Sequence, residues 1–137
     1  MLDTCTFLYL ANDHDLLDKN VVDILHDPEN VLCISAETGR ELVVGFNNHK
    51  FTSVKWKTSN DMIRSIEHDF GIQILPIDKK VIDTYSKLEL NLGQDHKDPS
   101  DHIIISHAIT VKIPLISSDS KFPFYTKQGL ELVLNKK

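Results

Sequence analysis

His96-Lys97-Asp98-Pro99-Ser100-Asp101-His102, running on into Ile103-Ile104-Ile105, reads as the start of a helix bound for the core. Asp98 has the side chain of an N-cap, Pro99 suits the first helical position, and Asp101 falls three residues after the cap. The continuation through Ile104, Ile105, Ala108, Ile109 and Val111 is mostly apolar, which predicts burial. Two carboxylates on the first turn of a core helix, with a histidine on either side, admit two readings. One is a capping box that complements the helix dipole, each acid worth about 0.3–1 kcal/mol. The other aims a carboxylate at a metal site beside the helix N-terminus. The rest of the chain has to choose between them.

The 137 residues, 41% hydrophobic and 26% charged, fit one globular domain over residues 1–137 with a substantial core. No apolar run is long enough to span a membrane, and Met1-Leu2-Asp3 does not open a signal peptide, so the expectation is a cytoplasmic protein with no membrane partner. Cys5 and Cys33 lack metal-ligand spacing and read as buried thiols. A net charge of −5 argues against nucleic-acid binding through a broad basic face. It leaves room for a nucleic-acid enzyme whose acidic pocket is neutralised by a divalent ion. Among the seven histidines none forms an i,i+4 pair; His102 and His107 are five apart and diverge around a helix.

Working outward, strands alternate with helices. Met1–Thr4 reads as the tail of a short strand, and residues 6–11 as a short helix. Asp15 is the expected cap of a helix over 16–26. Val31-Leu32-Cys33-Ile34 has the continuous apolar pattern of a strand buried on both faces. Ser35 caps a third helix, with Gly39 a cost of about 1 kcal/mol inside it and Gly45 as its C-cap. Residues 47–57 form a polar connection carrying Lys50, Lys55, Trp56 and Lys57. Thr58 and Asp61 make a capping box for a helix ending near Phe70-Gly71. A strand over 72–76 precedes a helix capped by Asp78, with Val81, Ile82, Tyr85 and Leu88 on one face. After the helix that begins at Asp98 come a strand over 113–117, a short helical or irregular piece over 120–127 and a last strand over 130–134. This order predicts an α/β fold, a three-layer α/β/α domain with a mainly parallel central sheet.

Ligands of open parallel sheets bind at the carboxyl ends of the strands, where helix N-termini also point. Asp3 and Asp119 follow two of the strands, and Asp101 on its first turn can reach the same edge. Glu41 lies beside Leu42, Val43 and Val44. Periodicity alone turns it to solvent next to Arg40; turned inward, it needs a partner or a metal. Clustered carboxylates without a nearby lysine or arginine suit hard cations, Mg²⁺ or Mn²⁺, and such sites serve phosphoryl chemistry.

Four segments carry a resemblance. Leu2-Asp3-Thr4, Ile34-Ser35-Ala36-x-x-x-x-Glu41, His96-x-Asp98-Pro99-x-Asp101-His102-x-Ile104-Ile105 and Leu115-Ile116-Ser117-Ser118-Asp119-Ser120-x-Phe122 occur in the order and at the spacing of PIN-domain ribonucleases. The chain resembles in particular the VapC-type toxins of bacterial toxin–antitoxin pairs. The resemblance implies that Asp3, Glu41, Asp101 and Asp119 form an acidic pocket for Mg²⁺ or Mn²⁺, against the periodicity reading of Glu41. It also implies that Thr4 and Ser117 orient carboxylates and that Asp98 caps the helix beside the pocket. The implied reaction is hydrolysis of an RNA phosphodiester by metal-activated water. The implied partners are an RNA substrate, an antitoxin protein whose C-terminal segment blocks the pocket, and a second copy in a homodimer. Arg40 and His102 stand where the VapC pattern more often has an aromatic residue and an arginine. His96 and His102 read as surface histidines.

Two other readings stay on the table. A catalytically silent PIN-like binding module would act through a partner, though it need not keep all four acids. A phosphatase or receiver domain would want a second aspartate at Cys5 or a lysine after a late strand, and the chain offers neither.

Overall fold

The computed structural model describes residues 1–51 and 55–137, so residues 52–54 of the expected 47–57 connection lie outside the described residues. Six α-helices are described: α1 (Thr4–Asn12), α2 (Lys19–His26), α3 (Ala36–Asn47), α4 (Ser59–His68), α5 (Lys79–Lys87) and α6 (Pro99–Val111). Between them lie four short strands, β1 (Cys33–Ser35), β2 (Gln73–Leu75), β3 (Leu115–Ser117) and β4 (Leu132–Leu134).

β1 pairs with β2 and β3 with β4, both in parallel. The N-terminal residues join the two halves. Leu2 forms a parallel bridge to Ile116, and its N–H donates to Cys33 O at 2.9 Å. The order across the molecule is therefore β2, β1, the N-terminal segment, β3, β4.

Alternation along extended chain divides the core in two. Leu2, Ile34 and Ile116 face one way, packing with Phe7 of α1, Val21 of α2, Leu42 of α3 and Met62 and Ile66 of α4. Met1, Cys33 and Leu115 face the other way, against Ile104, Ile105 and Ala108 of α6 together with Phe122 and Tyr125. Helices thus cover both faces of a parallel sheet, which is the expected α/β layering.

Several boundaries differ from expectation for identifiable reasons. α1 begins at Thr4 because Asp3 is both the last residue of the extended segment and the N-cap, its Oδ1 accepting from Thr6 N at 2.9 Å. Asp15 does not cap α2. Residues His14–Leu16 form a 3₁₀ turn, and Asp18 takes the cap, receiving the N–H groups of Val21 and, from the far end of the chain, Lys136. Gly45 is no C-cap; α3 continues to Asn47, and the Phe51 ring lies so close over Gly45 that a Cβ would stand 2.9 Å from it. Ile82 is 49% exposed and leaves Val81 as the buried residue of α5. Ser35, Thr58 and Asp78 cap α3, α4 and α5 as expected.

Three polar residues also sit differently. Cys5 is exposed, since the first turn of α1 faces the open edge of the sheet, whereas Cys33 is buried. His96 and His102 are not surface histidines: they are 2% and 3% exposed. The loop before α6 folds back under that helix, and the His102 ring closes edge-on over the His96 ring with centroids 4.6 Å apart.

Candidate active site

The carboxyl edge of the sheet carries a pocket of about 430 Å³ lined by Asp3, Thr4, Cys5, Tyr9, Glu41, Asp98, Asp101, Ser118 and Asp119. Each acid reaches it by a different route. Asp3 follows the N-terminal segment; Asp119 follows β3 and is held in a tight turn, its N–H donating to Ser117 Oγ and its Oδ1 accepting from Lys121 N. Glu41 projects from the second turn of α3. Asp98 and Asp101 come from the start of α6, where Asp98 Oδ1 accepts from the N–H groups of Ser100 and Asp101. Of the two roles open to this helix start, Asp98 performs the capping. Asp101 does not reach back to complete a box.

Two hydroxyls bond to the acids. The Thr4 hydroxyl donates to Glu41 Oε1, tying the first turn of α1 to α3. The Ser117 hydroxyl lies between Asp3 and the Asp119 backbone, bonding to both. Arg40 does not enter the pocket: its guanidinium grips Glu37 at 2.6–3.2 Å and Ser100 Oγ at 2.9 Å, clasping α3 to the start of α6.

With five carboxylates and no lysine or arginine in the lining, the electrostatic consequence is large. Burial, followed by the negative charges of Asp98, Glu41, Asp119 and Asp3, pushes the Asp101 carboxyl up to about 8. Burial also raises Asp3, against the hydrogen bonds from Ser117 and Thr6, and raises Glu41 against the bond from Thr4. A set of acids that cannot all ionise together in the absence of a cation is chemically matched to a hard divalent ion. Burial, followed by the same acids, pushes the Cys5 thiol at the rim up to about 11 in the ion-free protein.

Two residues of the site have no assigned role in the sequence reading, which takes His96 for a surface histidine and passes over Tyr125. His96 contacts Asp101, Nε2 to Oδ2 at 3.1 Å, and one donor atom each from His96, Asp101 and Asp119 lie within 4.8 Å of one another. Tyr125 contacts His96 from the far side. The place of His96 at the head of the His-x-Asp-Pro-x-Asp segment was a signal that could have marked it. Tyr125 lies in an aperiodic 3₁₀ stretch, Phe122–Gln128, and carried no signal.

Known proteins place this architecture. The PIN domain family model matches residues 1–127. No curated protein matches the chain in sequence. Among solved structures, the chain is similar to VapBC2 from Rickettsia felis bound to a DNA fragment from its promoter, with a TM-score of 0.73 and 22% identity over 99% of this chain and 98% of that one. It is similar to VapBC-1 from nontypeable Haemophilus influenzae, with a TM-score of 0.69 and 22% identity over 100% and 98%. It is also similar to FitAcB from Neisseria gonorrhoeae, with a TM-score of 0.64 and 20% identity over 98% and 95%. At these identities the likeness is one of fold.

Proposed function

Because the chain belongs to the PIN-domain family, we propose that it is a divalent-metal-dependent endoribonuclease and the toxin of a VapC-like toxin–antitoxin pair. The observation that carries this reading is the convergence of Asp3, Glu41, Asp101 and Asp119 on one pocket with no cationic side chain in its lining. These four residues would hold Mg²⁺ or Mn²⁺. Such an ion supplies charge neutralisation at the scissile phosphate and a water acidic enough to act as nucleophile near neutral pH.

The chain's own groups prepare that site. Thr4 and Ser117 aim the Glu41 and Asp3 carboxylates, and Asp98 anchors the helix turn from which Asp101 projects. A phosphodiester is repelled by an unneutralised acidic pocket, so substrate binding and ion binding are coupled. Next to the pocket, and sharing Thr4 and Glu41 with it, a second cavity of about 330 Å³ is lined by Leu8, Arg40, Val44, Lys50 and Phe51. Arg40 and Lys50 there offer phosphate contacts for RNA passing through the acidic centre, a small basic track on a chain of net charge −5.

The antitoxin partner and a homodimer belong to the same proposal. The antitoxin partner is supported by the fold shared with chains solved as VapBC and toxin–antitoxin complexes. Among the described residues no helix is long and apolar enough to cross a membrane.

The test is cleavage of RNA by the purified chain with Mn²⁺ or Mg²⁺ and with EDTA. Cleavage should require the ion and fall by roughly 100-fold or more in Asp101→Asn and in Glu41→Gln. Equal cleavage by these variants and the wild type would sink the assignment of the site.

A further inference from the structure

We propose that His96 is a positioning residue for the Asp101 carboxylate, and that Tyr125 fixes the imidazole in the tautomer that does this. The inference rests on the reading of Asp101 as an ion-holding residue. It assigns a role to two buried side chains which that reading leaves unexplained.

The direction of each hydrogen bond follows from the buried donors. Tyr125 is fully buried. Its hydroxyl oxygen accepts from Asn91 N–H at 3.1 Å and lies 2.8 Å from His96 Nδ1. Among the described residues, Nδ1 is the acceptor within reach of the phenolic O–H. Were Nδ1 to carry the proton, that O–H would be left buried and unpaired, a cost of about 1–3 kcal/mol. The O–H therefore donates to Nδ1. The hydrogen of the neutral imidazole must then sit on Nε2, and it points at Asp101 Oδ2, 3.1 Å away.

The chain Asn91 N–H to Tyr125 to His96 to Asp101 holds in either protonation state of Asp101, because Oδ2 accepts in both. It engages one oxygen of a carboxylate that lines the pocket and leaves Oδ1 free of hydrogen bonds among the described residues. Histidine and carboxylate partners that steer a ligand from outside are worth 10–100-fold in metal affinity.

The imidazole has little freedom to do anything else. His96 N–H donates to Asn91 O at 3.0 Å, and His102 Nε2–H donates to His96 O at 3.0 Å. The rings of His102, Phe122 and Tyr125 surround it at centroid distances of 4.6, 5.7 and 5.6 Å. The proximity of Nε2 to Asp101 and Asp119 raises the competing role of His96 as a direct ligand. A nitrogen bearing the hydrogen of this relay has no lone pair for an ion.

Mn²⁺ binding separates these outcomes without recourse to activity. The full chain, His96→Ala, His96→Gln and Tyr125→Phe are titrated with Mn²⁺, followed by loss of the free-ion electron paramagnetic resonance signal, with thermal melts confirming folding. Affinity should fall roughly 10–100-fold in His96→Ala and by a smaller factor in Tyr125→Phe, which keeps the ring and loses only the hydroxyl. His96→Gln, whose amide N–H can reach Asp101, should recover part of the loss. Spin-echo spectra of the wild-type complex should show no directly bound nitrogen. Unchanged affinity in Tyr125→Phe or His96→Ala, no recovery in His96→Gln, or a directly coordinated imidazole would each overturn the relay. Absence of Mn²⁺ binding by the wild type would instead remove the ion-site reading, and the relay with it.

Discussion

The Thr4 hydroxyl stands 2.5 Å from Glu41 Oε1, so the residue directly after the N-terminal segment aims the one acid that helical periodicity assigns to solvent. Thr4 also lies 3.4 Å from Thr38 Oγ1, one turn earlier on α3. α1 and α3 therefore meet through hydroxyls at the wall of the pocket.

Thr4→Val keeps the shape and removes the donor. Glu41 then loses the hydrogen bond that counters its burial, and its carboxyl rises further. The expected outcome is a stability loss of about 1 kcal/mol and roughly tenfold weaker Mn²⁺ binding, more marked at pH 6 than at pH 8. Calorimetric titration at the two pH values checks it.

Asp101 makes the ion-free protein sensitive to alkali. Its carboxyl has an ordinary value of 3.8 and sits at about 8 in the fold. Between these values the unfolded chain has released the proton and the folded chain still holds it. The folded state thus binds more protons, and stability falls as pH rises from about 4 to about 8. Asp101→Asn should remove that slope and stabilise the EDTA-treated protein at pH 8 by on the order of 1–3 kcal/mol. Added Mn²⁺ should stabilise the wild type far more than the variant. Urea unfolding at pH 5, 6.5 and 8 measures both effects.

Gly39 lies inside α3, where a Cβ would meet nothing within 4 Å. Gly39→Ala gains helix propensity without a clash, so thermal or urea unfolding should show about 0.5–1 kcal/mol of added stability. RNA cleavage should be unaltered, because Gly39 contributes no group to the pocket. A loss of stability would mean that the backbone of α3 cannot take the side chain.

Cys5 is accessible yet poorly nucleophilic, with its thiol at about 11. Alkylation by iodoacetamide at pH 8 should run roughly 100-fold more slowly than for an unperturbed cysteine, in proportion to the thiolate present. Mass spectrometry against a Cys5→Ser control reads the rate. Modification at the ordinary rate would show that neither burial nor the pocket's negative charge raises the thiol.

The amino-acid sequence by itself determined the alternation of strands and helices, most of the caps, and the identity of the acids that gather at the sheet edge. These features are encoded within a few residues: an apolar run between breakers, an aspartate before Pro99, a serine or threonine ahead of a helical period. In the sequence, Asp98 and Asp101 are told apart only by the family resemblance; their local pattern leaves both roles open to either. Both occupy the same helix turn, and the difference lies in which one meets other elements. Glu41 shows the limit most clearly: its place in the helical period faces water, and only the packing of α1 against α3 turns that water-facing side into a pocket wall. His96, His102 and Tyr125 were beyond local reading for the same reason. Their burial and their hydrogen bonds join residues up to 34 positions apart, as between Asn91 and Tyr125, and no short-range pattern specifies a contact made by the return of the chain. The acids of the site were thus legible one by one, while the geometry of their convergence, the raised pKa values of Asp3, Glu41 and Asp101 and the aromatic and imidazole groups behind Asp101 exist only in the tertiary structure.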